Sequence, residues 1–410
     1  MQSLPSSHRM TAEEIRAAFS LGSIFALRMF GAFSILPVFV VHAPSLQDGH
    51  SLVLIGWALG IYNLTQGCLQ IPFGMAADRF GRKRVILLGL LIFAVGSVIA
   101  AIGENIWVVI AGRAIQGAGA ISAAVMALAA DLTREEQRTK TMAVIGASIG
   151  LMFALCLISS PLLYQWVGLD GIFILTGLLA LAAIVVLYRI VPAEPPAQSA
   201  HADLSKAGFM AVLRNVELLR LNFGIFALHV AQMSMFVVVP TMLLKGAGVP
   251  LSQQSWMVYL PVVLLSFVLM MPPLLMAERR GRAKRLFIGS IALLFIAQIG
   301  YASGVTSIYA HVGLLLAFFV AFNILEASLP SLVSRVAPAA SRGTAFGVYN
   351  TTQNLGLALG GVLGGWLTAN FGPQAVFILA GALALLWLGV AAGMRIPAPS
   401  HGRAANSAAH

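Results

Sequence analysis

Long apolar runs separated by short polar segments dominate the chain. Such runs occur twelve times, at about 15–42, 51–78, 85–103, 106–131, 141–168, 171–191, 217–244, 253–277, 286–304, 307–335, 343–369 and 373–394. A helix that crosses a lipid bilayer needs roughly 20 mostly apolar residues. The pattern therefore predicts an all-α membrane protein with twelve transmembrane helices.

The polar segments between the runs differ in charge. If the N-terminus lies in the cytoplasm, all but three of the 25 lysines and arginines fall on the cytoplasmic side. The exceptions are Lys245 on the opposite side, and Arg28 and Arg113 within runs. Because loops rich in lysine and arginine stay in the cytoplasm, both termini are predicted to be cytoplasmic.

Composition agrees with a membrane protein. The chain is 59% apolar and 10% charged, whereas soluble domains have about 25% charged residues. This excludes soluble enzymes and nucleic-acid-binding proteins, and the net charge of +11 becomes a topology signal. The cysteines Cys68 and Cys156 lie in apolar runs, and the eight histidines lack metal-site spacing, so neither a metal nor a cofactor is expected.

The two halves of the chain are related. Residues 72–84 (PFGMAADRFGRKR) align with residues 272–284 (PPLLMAERRGRAK), and each copy lies between the second and third runs of its half. Parallel six-helix repeats are a transporter architecture. We therefore expect two six-helix bundles at 1–191 and 217–410.

A polar, proline-rich linker at 192–216 separates the halves. Basic and apolar residues alternate at helical spacing from Lys206 to Arg220. This pattern fits a short helix at the membrane surface. A flexible linker is an equally good interpretation.

The loop after the second run carries a specific motif. The motif residues are Gly74, Asp78, Arg79, Gly81, Arg82 and Lys83, which match G-x-x-x-D-R-x-G-R-[RK]. This loop resembles that of the major facilitator superfamily. A carboxylate at this place can accept hydrogen bonds from helix N-terminal amides and pair with Arg82. The alternative is a basic loop with a turn glycine.

A second motif lies in the fourth run. The sequence from Gly112 to Ala120 resembles the R-x-x-Q-G-x-G-A motif of the same family, with Arg113 and Gln116 on one helix face. An arginine inside a bilayer needs a polar partner or cavity. The alternative is that its side chain reaches outward to the membrane surface.

The chain departs from the family's antiporters in the fifth run. Of their G-x-x-x-G-P-x-x-G-G motif it keeps only Pro161. A set of close-packing glycines lies instead in the eleventh run, at Gly356, Gly360, Gly361, Gly364 and Gly365.

The resemblance covers nearly the whole chain, including FALRMFGAFSILPVF at 25–39 and GTAFGVYNTTQ at 343–353. It implies a bacterial inner-membrane transporter of the drug/proton antiporter branch, a monomer that moves a small molecule in exchange for protons. It also implies a cytoplasmic charge cluster of Asp78, Arg82 and Asp131 that stabilises the outward-open state. Relatives can carry a small C-terminal domain, which we expect to be absent here. A metabolite uniporter or symporter is the alternative, and an intramembrane enzyme or scramblase a more distant one.

Few ionisable groups remain inside the membrane. Arg28, His229 and Glu326 lie within runs, with Asn323 one turn from Glu326, while His311 lies nearer the outer surface and is expected to be solvated. Such groups normally face a cavity or a partner. We expect Glu326 to carry the proton and Arg28 to displace it. The alternatives are a permanent Arg28–Glu326 pair or a proton carried by His229.

Overall fold

The structure is a computed structural model, and it describes residues 10–194, 206–246, 256–280, 282–337 and 342–394. The described residues form α-helices joined by short turns, with a single isolated bridge between Gln47 and Asn105. The helices are α1 (Ala12–Phe33), α2 (Phe39–His42), α3 (Leu52–Phe80), α4 (Arg82–Ala101), α5 (Ile106–Ala118), α6 (Ser122–Asp131), α7 (Glu135–Arg189), α8 (Lys206–Arg214), α9 (Val216–Gly246), α10 (Trp256–Arg279), α11 (Ala283–Ala302), α12 (Ile308–Val336), α13 (Arg342–Phe371) and α14 (Pro373–Ala392).

The helices account for the twelve predicted spans. Ten helical segments are long and apolar enough to cross a membrane. One of them, Lys140–Arg189, contains two spans, because Gly168 breaks α7 with φ of 66°. Only a residue without a Cβ adopts such a φ readily. The remaining span is α13, whose interior amides and glycines make it less apolar than the others.

Two predicted spans are interrupted. The first was predicted over 15–42, but α1 ends at Phe33 and a turn containing Pro37 precedes α2. Proline cannot donate to a helical ladder and disfavours helical geometry in the residue before it. In the fourth span, α5 and α6 are separated at Gly119, where the backbone lies directly against Gly89 of α4.

The helices pack into two bundles. In the first, α1 packs on α7, α4 on α5 and α7, and α3 on α5; in the second, α9 packs on α13 and α14, and α12 on α10 and α11. The bundles meet through α3 with α13, α7 with α10, and α2 with α9. We call the end that carries Arg82, Arg134 and Arg220 the basic end, and the end that carries Asn105 and Gly168 the distal end.

The internal repeat extends to the way each bundle is closed. In the first bundle, Arg16 and Lys83 donate to carbonyls just beyond the end of α7, at 2.6 and 3.0 Å. In the second, Arg220 and Lys284 donate to carbonyls at the end of α14, at 2.6 and 2.8 Å. Cationic groups at a helix C-terminus satisfy its free carbonyls and its dipole. Each half thus has its own closing contacts.

Glycines on α13 let it approach two helices at once. An added Cβ on Gly360 would lie 2.6 Å from the carbonyl oxygen of Val230 in α9. One on Gly361 would lie 2.8 Å from that of Gly56 in α3. The predicted close-packing glycines therefore form two stripes, one within the second bundle and one between the bundles.

A helix is present in the linker region. This helix, α8, ends at Arg214, whereas the helical pattern was predicted to continue to Arg220. The reason is that Asn215 begins the next helix, α9. Its side-chain oxygen accepts hydrogen bonds from the amides of Glu217 and Leu218 at 3.0 and 3.2 Å. Asparagine is a favoured N-cap. The rest of the linker, 195–205, lies outside the described residues.

Candidate transport site between the bundles

Arg28 is buried in the first bundle. It is 1% exposed, and its Nη2 donates to Oε1 of Gln66 at 3.1 Å and its Nη1 to Oγ of Ser122 at 3.4 Å. The rings of Tyr62 and Phe93 lie 5.8 and 6.0 Å from its guanidinium carbon. We call Arg28, Gln66 and Ser122 the arginine site. It combines a cation with neutral hydrogen-bond acceptors and aromatic faces.

Arg113 is also buried in the first bundle. Its Nη1 donates to Oε1 of Gln116 at 2.9 Å and to the carbonyl of Gly31 at 3.3 Å, and its guanidinium carbon lies 4.6 Å from the Tyr62 ring centre. Being 1% exposed, it does not reach outward to the membrane surface. Gln116 continues the network by donating to Ser97 at 2.8 Å. This geometry favours a role in packing α5 against its neighbours.

Glu326 lies in a cluster in the second bundle. Nε2 of Gln353 donates to its Oε1 at 3.3 Å, and Nε2 of His229 lies 3.7 Å from its Oε2. Nδ1 of His229 lies 3.0 Å from the carbonyl of Ile225, and its Nε2 lies 2.8 Å from Nε2 of Gln353. A neutral imidazole satisfies both contacts if Nδ1 carries the hydrogen and Nε2 accepts. We call His229, Glu326 and Gln353 the Glu326 cluster.

Asn323 has a different partner. Its Nδ2 donates to Oγ of Ser266 in α10 at 3.0 Å. This bond places Asn323 at the contact between α12 and α10, although it lies one turn from Glu326.

One alternative for the ionisable residues is not seen in the described part of the chain, and one expectation is wrong. Arg28 binds Gln66 and Ser122, and Glu326 binds Gln353, so these contacts do not form the permanent Arg28–Glu326 pair left open by the sequence. His311 is 3% exposed rather than solvated. Its ring stacks on Tyr301 with 5.7 Å between centres, because the helix ends pack tightly there.

Amide side chains on α3 and α13 lie near both charged sites, and one hydrogen bond joins the two helices. Gln66 and Gln70 lie one turn apart on α3, and Oε1 of Gln70 accepts from Nδ2 of Asn354 in α13 at 3.4 Å. Asn354 directly follows Gln353, a member of the Glu326 cluster. We call Gln66, Gln70, Asn354 and Gln353 the amide row. We did not single out these residues from the sequence, although amides at helical spacing inside apolar runs were the available signal.

The α3–α4 turn contains much of the first motif. Gly81 has φ of 97°, and Nε of Arg82 lies 3.3 Å from Oδ2 of Asp131. Gly74 faces Ala123, and Arg79 is exposed over the ring of Phe80. The side chain of Asp78 lies outside the described residues. One pair of the expected charge cluster, Arg82–Asp131, is therefore present.

Two carboxylates at the basic end make contacts that the sequence did not predict. Glu194 accepts from the first amides of α4, those of Arg82 and Lys83, at 2.6 and 3.2 Å. Glu14 accepts from Nε and Nη2 of Arg134 at 2.8 and 3.0 Å. The spacing of Thr11 and Glu14 in the sequence is that of a capping box, which indicates a role for Glu14 at the start of α1. No sequence pattern indicates the role of Glu194, because the amides that it binds, those of Arg82 and Lys83, are distant in sequence.

An aromatic cluster crosses between the bundles. Phe153 of α7 has ring-centre distances of 6.4, 6.3 and 6.0 Å to Phe236, Phe319 and Phe322 of the second bundle. Phe322 in turn lies 5.8 Å from the ring of His229. The contact between the bundles therefore adjoins the Glu326 cluster.

Comparison with known families identifies this architecture. The Major Facilitator Superfamily model matches residues 19–361 and 248–410, which together cover most of the chain. The chain belongs to the major facilitator superfamily. Membership establishes a non-enzymatic transporter with twelve helices in two bundles and a small-molecule substrate. It also agrees with the helix packing described above.

Individual relatives support the same assignment. The chain is 45% identical over 391 residues to the inner membrane transport protein YajR of Escherichia coli (strain K12), covering 95% of this chain and 86% of YajR. It is 28% identical over 375 residues to the multidrug resistance protein MdtH of Proteus mirabilis (strain HI4320), covering 86% and 88%.

A solved structure supports the fold. The crystal structure of a bacterial homologue of the human lysosomal transporter Spinster, inward-facing and unoccupied, superposes with a TM-score of 0.73 at 12% identity. It covers 94% of this chain and 96% of that one.

Proposed function

We propose that this transporter exports a small amphipathic compound in exchange for protons, by rocker-switch alternating access of its two halves. The Glu326 cluster carries this proposal. A carboxylate enclosed in the membrane binds a proton and releases it when water and charge reach it. The contact of His229 with Phe322, which packs across the two bundles, supports a position of the cluster beside the surface at which the halves would separate. The multidrug relative MdtH agrees with export of amphipathic compounds.

Several contacts support a cavity that opens at the basic end. Towards the distal end of α3, Gly56 and Gly60 lie against Gly361 and Ala358 of α13. Towards the basic end of the same helix, Gly74 faces Ala123 of its own bundle instead. The bundles therefore meet closely from the distal end to mid-span. This is the arrangement expected of an inward-facing state if the basic end is cytoplasmic.

The orientation follows from the charges. Basic residues concentrate at the end that carries the α3–α4 turn, so we place that end and both termini in the cytoplasm of a bacterial cell, within its inner membrane. YajR is an inner membrane protein. The linker at 192–216 would connect halves that move against each other, and the protein would act as a monomer.

The charges around the α3–α4 turn would bias the two access states. Arg82 already pairs with Asp131, and Gly81 gives the turn a backbone geometry that suits glycine. We assign Gly74, Asp78, Arg79, Gly81, Arg82 and Asp131 to this switch.

Replacing Glu326 by Gln tests the proton carrier. In proteoliposomes with an imposed pH gradient, Glu326→Gln should abolish gradient-driven transport and proton release on substrate binding, while substrate binding itself remains. The amide keeps the shape and can still bond Gln353 but cannot ionise. Glu217→Gln, at the basic end, is the matched control. Proton release from Glu326→Gln at the wild-type level would contradict the proposal and favour His229 as the carrier.

The amide row favours a second candidate, a metabolite uniporter or symporter. Neutral amides suit polar uncharged substrates such as sugars. The same liposomes distinguish the two candidates. Flux indifferent to the pH gradient indicates a uniporter, and inward flux that follows proton entry indicates a symporter.

A further inference from the structure

In the described part of the chain, the hydrogen-bond partners of the Arg28 guanidinium are all neutral, so no anion neutralises its charge. Gln66 and Ser122 accept its hydrogen bonds, and its Nε is buried without a partner. Glu326, the acid of the described chain nearest to mid-span, lies in the other bundle and binds Gln353. A cation buried in a membrane protein is costly unless an anion neutralises it.

A second cation strengthens the positive field at this place. Arg28 and Arg113 lie 5.8 and 4.6 Å from the same Tyr62 ring. Arg113 makes its bonds to Gln116 and to backbone carbonyls, which hold it in place. The hydroxyl of Tyr62 is buried and has no hydrogen-bond partner in the described part of the molecule. Of the two arginines, Arg28 is therefore the one whose buried Nε lacks a hydrogen-bond partner in the described part of the molecule.

The unpartnered Nε of Arg28 lies on a defined edge of the guanidinium group. Nε and Nη2 form one edge of a guanidinium group and donate in parallel, which matches the two oxygens of a carboxylate. In Arg28, Gln66 occupies Nη2 and Nε is unpartnered. A carboxylate at this edge would accept from both nitrogens, whereas the single amide oxygen of Gln66 accepts from one.

We propose that Arg28 is an anion-binding residue, and that the transported compound carries a carboxylate that binds the Nε–Nη2 edge in place of Gln66. Gln66 lies one turn from Gln70 on α3, and Gln70 bonds Asn354 of α13, so the edge lies close to the surface where the halves separate in the proposed cycle. The proposal rests on the proposed function in one respect, that the substrate enters between the halves. It does not depend on proton coupling.

Equilibrium binding to the purified transporter in detergent tests the proposal. The probes are benzoate, cinnamate and naphthoate, each beside its primary amide and methyl ester, and the readout is the Tm. A ligand that binds the folded protein raises the Tm. We expect at least one carboxylate to raise the Tm by several degrees while its amide and ester do not. Equal shifts from the neutral compounds, or no shift from any carboxylate, would overturn the proposal.

Variants assign the effect to Arg28. Arg28→Gln should remove the carboxylate-dependent shift. Arg28→Lys should raise the carboxylate Kd, taken from the Tm at increasing ligand concentration, by about tenfold, because an ammonium group keeps the charge but lacks the parallel donors. Arg335→Gln, an exposed position at the end of α12, is the matched control and should bind as the wild type does. If Arg28→Gln does not fold, the lysine variant decides, and an unchanged Kd in it would refute the assignment.

Failure of this inference and failure of proton coupling are distinguishable. Carboxylate binding is measured without a gradient, and gradient-driven flux is measured separately in liposomes. Carboxylate binding that depends on Arg28 supports the inference even if the transport rate does not change with the pH gradient. Gradient-driven flux with no carboxylate selectivity contradicts the inference and leaves the proposed function standing.

Discussion

At the scale of single residues, the charged side chains within the helix bundles differ in how many partners they have. Arg113 is supported by Gln116 and backbone carbonyls, and Glu14 is bound by Arg134, so both are well compensated. Arg28 has only neutral partners, and Glu326 shares one amide with His229. Incompletely compensated charges inside a membrane protein are expected at sites that bind substrate or protons. The functional hypotheses therefore concentrate on these two residues.

Asparagine has nearly the same size and shape as aspartate but no charge. The variant Asp78→Asn therefore tests the charge alone. Transport should fall sharply, because the charge that biases the access states is lost, while the amount of protein in the membrane stays near the wild-type level, because Asn keeps the size of Asp. Transport assays and membrane immunoblots measure the two quantities. Asp170→Asn, exposed near the distal end, is the control. Unchanged transport in Asp78→Asn would reduce the motif to a topology signal.

At the scale of elements, α13 packs closely against two helices at once. Its glycines face α9 on one side and α3 on the other. The glycine spacing was visible in the sequence, but which helices the glycines face was not, because spacing along one helix carries no information about its neighbours. The same limit applies to Glu194, which caps α4 from a position more than 100 residues away.

Adding one methyl group tests the α9–α13 contact. Gly360→Ala should lower the Tm by several degrees, since its Cβ would lie 2.6 Å from the carbonyl of Val230 and overpacking costs about 1–3 kcal/mol. Gly389→Ala in α14 is the matched control, because no atom lies within 4 Å of its added Cβ. It should keep or slightly raise the Tm, as alanine favours helices. Equal effects of the two variants would contradict this account of the contact.

At the scale of the whole molecule, the two halves are alike in construction and different in content. Each closes its last helix with an arginine and a lysine at corresponding places. The first half contains the buried arginines, and the second contains Glu326 and His229. The contacts between the halves lie beside both sets, so a movement of one half against the other changes the surroundings of each.

Phe153 joins the halves through three phenylalanine rings of the second bundle. Replacing it by Ala should open a gap among Phe236, Phe319 and Phe322 and raise substrate-independent proton leak through liposomes several-fold, because water from the distal side then also reaches the Glu326 cluster. A pH-sensitive dye inside the vesicles measures the leak. Phe371→Ala, 65% exposed, is the control. A leak in Phe153→Ala no greater than in the wild type would show that these rings do not seal the path.

The sequence by itself determined the class of fold, the number of spans and the family, because apolar runs and short loop motifs are local patterns that the bilayer enforces. It also located Arg28, His229 and Glu326, since ionisable residues stand out inside apolar runs. Only the tertiary structure decided their partners: Gln66 and Ser122 for Arg28, and Gln353 and His229 for Glu326. Those contacts join helices that are distant in sequence, and their formation depends on the packing of the helices in three dimensions.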